Sequence, residues 1–131
     1  MLVVAPIEGH VAEGGPLRPA GTLCGSLVRD RDGEVAGSIA DVVLDVERGC
    51  VAYAVVATGG FLGVGERRFA VPWTALRASS RHFVLGVPRT VLESAPTFDG
   101  EQWPAAPARA WHERVHAHFA ARRYWSQGSG A

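Results

Sequence analysis

The chain has 131 residues, of which 47% are hydrophobic and 20% charged, and thirteen acidic side chains balance thirteen basic ones. That is enough chain for one modest core and too little for two. A net charge of zero leaves out the strong field with which nucleic-acid and anionic-membrane binders recruit their partners.

All thirteen basic residues are Arg, with no Lys and no Asn, the composition expected of a GC-rich bacterial genome. Charge is unevenly placed. Asp30, Asp32, Glu34, Asp41, Asp45 and Glu47 face one Arg between positions 30 and 47, whereas nine Arg face four acids from Arg67 onward. Such asymmetry either draws two copies together or makes an ordinary solvated surface.

Residues 1–20 contain Gly9, Gly14, Gly15, Pro16 and Pro19 without apolar periodicity and read as a loosely held N-terminal arm. Met1 to Pro6 has neither a basic leader nor a long apolar run, so no secretion signal is expected. No stretch reaches the ~20 apolar residues that span a bilayer. A cytoplasmic chain without membrane insertion is the expectation, with Cys24 and Cys50 as buried thiols in a reducing compartment.

Leu23 to Arg29 predicts a short strand, closed by the turn Asp30-Arg31-Asp32-Gly33. Val35 to Val46 predicts the clearest strand, kinked near Gly37. Its apolar even positions from Ala40 to Val46 should face the core, with Asp41 and Asp45 opposite. Gly49 turns the chain into Cys50–Ala57, an apolar run expected to be covered on both faces. Gly59, Gly60, Gly63 and Gly65 make a tight link around Phe61, Leu62 and Val64. Those three side chains either tuck under the sheet or form a contact patch.

Arg68 to Val71 resumes a strand that Pro72 and Trp73 stop before a helical turn at Thr74–Leu76. His82 to Val87 is the last strand, and Pro88 opens a helical turn over Arg89–Glu93. Short strands separated by turn residues predict a mainly β chain folded as a small antiparallel barrel. The barrel should occupy residues 21–95, followed by an extension over 96–131 whose helix spans about 107–122. Ala108, Trp111, Val115 and Phe119 form one apolar stripe on that helix, which should dock on the barrel or on another subunit.

Gly33 to Asp45 resembles the opening strands of the PRC-barrel family, named after the photosynthetic reaction centre. So do Val51–Val56, Gly59–Gly65 and Phe69–Leu76. Leu92–Phe98, Trp103-Pro104, Trp111 and Tyr124-Trp125 resemble the tail of its stand-alone bacterial members, so the likeness covers about residues 17–125. Members include the cytoplasmic domain of the reaction-centre H subunit and the C-terminal domain of a ribosome maturation factor. The resemblance implies a barrel that holds other proteins, carries out no bond chemistry and needs no cofactor. The membrane helix of the first and the preceding domain of the second have no counterpart here, so neither role transfers.

His112-Glu113-Arg114-Val115-His116 matches the zinc-hydrolase pattern HExxH, with two imidazoles one helical turn apart and a carboxylate as base. A catalytic zinc needs a third protein ligand. No acid follows Glu113, and His118 falls about 120° away around the helix. Packed or solvent-facing histidines are the simpler reading, and a metal-binding protein or metallohydrolase using His112, Glu113 and His116 is the alternative. Asp41 and Asp45, roughly 13 Å apart on a strand, are too distant to share an ion. Arg67-Arg68 and Arg122-Arg123-Tyr124-Trp125 mix cations with aromatics as RNA binders do, but both clusters are small. The expectation is an assembly module, self-associating or holding another protein, with contacts through Phe61, Leu62, Val64, Trp103, Trp111, Tyr124 and Trp125.

Overall fold

The computed structural model describes residues 16–59, 65–97 and 109–127. Six strands make one sheet: β1 (Leu27–Arg29), β2 (Val35–Asp45), β3 (Cys50–Thr58), β4 (Arg67–Pro72), β5 (Leu76–Ala78) and β6 (His82–Leu85). Helices follow at α1 (Arg89–Glu93), α2 (Arg109–His118) and α3 (Tyr124–Gln127), with 3-10 turns at Ala20–Leu23 and Trp73–Ala75.

The strand order is β4-β3-β2-β1-β6-β5. The expected antiparallel barrel is corrected to a mixed sheet forming a half-barrel, because β6 runs parallel to β1. The reason lies in the turn at Trp73–Ala75. It carries the chain from one edge of the sheet to the other, so the β5–β6 hairpin is laid beside β1 instead of extending β4. The two edge strands are therefore consecutive in sequence, and three residues hold the edges within reach of each other. The predicted helical turn is present one residue earlier than expected. The strand after it, β5, carried no periodic signal in three residues.

β3 lies inside the sheet between β2 and β4, and Ala52 to Ala57 are all buried, as its unbroken apolar run predicts. Across the sheet, Val28, Ile39, Tyr53, Val56, Phe69, Val71, Phe83 and Leu85 close one core, to which Leu92, Val115 and Phe119 add from the helices.

β2 does not keep a period of two. Its register skips a residue at Ala36 against β1 and at Ala40 against β3, and β3 skips one at Ala52. Each bulge rotates the following side chains relative to the sheet. Leu44 ends up 53% exposed and Val46, just past the strand, 83% exposed. Asp45 turns inward instead. The expected alternation holds at Asp41, which is exposed, and Val42, which packs on the core, and is overturned at Leu44, Asp45 and Val46.

The turns hold as read. Asp30 is 3% exposed, and its carboxylate accepts from the N–H groups of Asp32 and Glu34 (2.9 Å each) and of Arg89 (2.8 Å). One side chain thereby closes the β1–β2 turn and holds the start of α1. Gly33 and Gly49 take the positive φ their turns require, and Gly59 and Gly65 do the same beside the glycine link. Gly60 and Gly63 lie outside the described residues. At Gly37 close approach decides: a Cβ there would stand 2.4 Å from the carbonyl oxygen of Ala57. Pro72 ends β4 as expected. Leu23 belongs to a 3-10 turn, so the first strand is Leu27–Arg29 only, and the last stops at Leu85. Cys24 and Cys50 are free thiols but exposed, contrary to expectation, since one follows the 3-10 turn and the other opens β3 directly after its turn.

Candidate functional site

The predicted stripe docks α2 on the sheet: Val115 and Phe119 are buried and Trp111 half-buried, while Glu113 and Arg114 face outward. The helix stops at His118, earlier than the stripe suggests. The N–H of Ala120 donates to Ala117 O (3.0 Å) and that of Ala121 to His116 O (2.8 Å), with Ala120 at φ 53°. This is a Schellman ending with alanine where glycine is usual. It reverses the chain and returns α3 across the face of α2. The Thr74 hydroxyl, donating to Arg122 O, fixes the return.

The reversal assembles one cluster around Tyr53 of β3, which is 1% exposed. His112 stacks on its ring at 5.6 Å, and His116, Trp111 and Tyr124 meet it at 5.4, 6.0 and 6.2 Å. Trp125 meets the edge of His116 at 5.0 Å and carries the Arg109 guanidinium 5.0 Å over its own ring. The Tyr53 hydroxyl is hydrogen-bonded to His112 Nδ1 (2.5 Å). His116 Nδ1 donates to His112 O (2.8 Å), and the Tyr124 hydroxyl donates to Asp45 Oδ2 (2.7 Å).

The electrostatics favour neutral tyrosines and histidines beside an ionised Asp45. Burial, and then the nearby Tyr124, push the Tyr53 hydroxyl well above the usual tyrosine range. Burial, helped by the bond to Asp45, raises Tyr124 to about 12. Burial lowers His112 and Arg109 lowers it further, while Asp45 pulls the other way. Burial likewise lowers His116, against the bond to His112 O. Asp45 is held below the usual carboxylate range by Tyr124 first and by the N–H of Arg48 next. Tyr53 therefore keeps its proton, and the tautomer of His112 sets which of the two donates in their hydrogen bond.

The geometry surrounds HExxH with aromatic rings instead of further ligands: Tyr53 and Trp125 pack on both imidazoles, each Nδ1 is held by a hydrogen bond, and Glu113 faces outward. Among the described residues no three His, Cys, Asp or Glu side chains stand close enough to hold a metal ion. His118 lies elsewhere, its Nε2 donating to Val91 O (2.7 Å). The basic clusters are partly committed as well: Arg67 donates to Glu93 O (2.7 Å) and Arg68 pairs with Glu66 (3.5 Å).

Of the seven expected contact residues, Trp111, Tyr124 and Trp125 meet in this cluster, all half-buried. Phe61, Leu62, Val64 and Trp103 lie outside the described residues. Sequence reasoning missed Tyr53, Asp45, Leu44 and Val46. The first sat unremarked in an apolar run, and the others were displaced by the bulges. Beside the cluster runs a groove of about 310 Å³ lined by Leu44, Val46, Glu47, Tyr53, His112 and Tyr124, among others. A larger hollow of about 510 Å³ includes Leu23, Val51, Trp73, Phe83 and Arg18 in its lining, with no carboxylate, imidazole or thiol among the described residues that line it. No helix among the described residues is long and apolar enough to cross a membrane.

A search of curated proteins finds no match. The sequence profile of the PRC-barrel domain matches residues 18–92, which spans β1 to β6 and most of α1. With more than half of the chain matched and the half-barrel in place, the protein belongs to the PRC-barrel domain family.

Proposed function

We propose that the chain is a non-catalytic interaction module that assembles with another protein or with its own copies in the cytoplasm. One observation carries this reading: Leu44 and Val46 are turned outward by the bulges and line a groove with Tyr53, His112 and Tyr124. Single exposed apolar residues are ordinary. Two of them flanking a concave, aromatic-floored groove form the kind of surface that protein contacts use. The half-buried Trp111 and Trp125 beside it add rigid aromatic area.

Family membership supports the absence of bond chemistry, and the cluster agrees with it, because its polar groups are engaged with one another in a packed setting. The test combines light scattering of purified chain with affinity capture from the host lysate, comparing wild type with Leu44→Asp/Val46→Asp. The reading expects a stoichiometric partner, or a defined oligomer, that the double variant loses while its circular dichroism is unchanged. Equal assembly in both proteins would contradict it.

A further inference from the structure

Three histidines on α2 bind the helix to the barrel, and they differ in how they would meet a proton. His118 already donates from Nε2 to Val91 O, so its contact survives protonation. His112 shares a hydrogen bond at Nδ1 with the Tyr53 hydroxyl, which can accept from a protonated ring. His116 has no such freedom. Its Nδ1–H is committed to His112 O, the residue is 1% exposed, and among the described residues its buried Nε2 has no hydrogen-bond partner. A proton added there creates a buried cation whose new N–H finds no acceptor among the described residues.

Among the described residues, the groups facing His116 offer no relief. They are Tyr53 from β3, Tyr124 and Trp125 from α3, His112 from its own helix and Arg123 from the connecting loop. Arg123 repels a second cation. Asp45 is engaged by Tyr124, the Arg48 side chain and two turn N–H groups. The nearest way to hydrate a charged His116 is to lift α2 and α3 away from Tyr53.

We propose that α2 and α3 form an acid-released clasp, with protonation of His116 at Nε2 as the trigger that undocks them from the barrel. The inference stands on the packing of the clasp and is independent of whether the adjoining groove binds a partner. Burial keeps the His116 pKa below its ordinary 6.5 in the docked state. The docked clasp is therefore fully favoured above pH 6.5 and is weakened as pH falls below it, until the docked-state pKa is reached.

The experiment follows amide exchange of the full chain by NMR, corrected for intrinsic rates, together with the imidazole titrations. Protection in residues 109–127 should fall below about pH 6.5 with a slope approaching tenfold per pH unit, while β3 keeps its protection. His116→Asn, which retains a donor near Nδ1 and does not titrate, should flatten that slope, and His118→Asn should leave it intact. A His116 ring that titrates near its ordinary value with the clasp still protected would overturn the proposal. So would an unchanged slope in His116→Asn. If that variant does not fold, the wild-type titration decides alone.

Discussion

The sheet and the clasp are held by different physics. In the sheet, ladder hydrogen bonds and a continuous apolar interior do the work, and the buried carboxylate of Asp30 is satisfied by three backbone donors. The clasp reaches the barrel through side chains: two apolar anchors, Val115 and Phe119, and a ring of tyrosine, histidine and tryptophan around Tyr53. Backbone pairing is indifferent to pH and tolerant of side-chain change. A contact built from imidazoles and phenols is neither, so the two regions should fail separately.

Acid should separate them most widely. The histidine contribution is lost first, as pH falls below 6.5. The carboxylate contribution survives further. At Asp30 burial pushes the pKa up, but the N–H donors of Arg89, Glu34 and Asp32 outweigh it, and the net value lies below 3.8. Stability from Asp30 is therefore present above pH 3.8 and lost as pH falls through the folded-state value. Circular dichroism and tryptophan fluorescence across an acid titration should show two steps, and a single coincident step would remove the distinction.

Phe119→Ala should cost about 3–5 kcal/mol of clasp docking, measured by denaturant titration, because it empties a fully buried aromatic site. Gly37→Ala attacks the barrel instead. Its Cβ meets the Ala57 carbonyl oxygen at 2.4 Å and Val56 at 3.0 Å, so β2 and β3 must part, at about 3 kcal/mol in thermal unfolding. Tyr53→Phe keeps the ring and removes the hydrogen bond to His112, and should weaken the clasp by about 1 kcal/mol. The smallest change is Ala120→Gly. It relieves a left-handed alanine that costs roughly 1–2 kcal/mol, and the greater freedom of glycine in the unfolded chain takes part of that back. A small rise in melting temperature, under about 5 °C, is expected.

Much of the barrel was legible because its signals are local. Asp30 to Gly33 reads as a turn from residue types alone, and the buried run of β3 and the stop at Pro72 need no tertiary knowledge. The parallel β1–β6 pairing was not legible, because it depends on where a three-residue turn at Trp73 sends the chain. The bulges at Ala36, Ala40 and Ala52 were hidden too. Alanine fits either face of a strand, so nothing in the pattern marks the skipped register, and Leu44 and Val46 were assigned to the wrong face. In the clasp, the stripe of Trp111, Val115 and Phe119 announced the docking helix. The early stop at His118 was invisible, since Ala120 carries no helix-ending signal of its own. HExxH drew attention to His112 and His116: their spacing puts both on the barrel side of α2, where Tyr53 receives them.

Residue-resolved amide exchange of Phe119→Ala at about pH 7.5, where His116 is neutral, tests the separation of barrel and clasp most directly. The account predicts exchange across residues 109–127 accelerated by at least about a hundredfold, with β2 and β3 as protected as in wild type. Acceleration of both regions together would contradict it, and would mean that barrel and clasp are one cooperative unit.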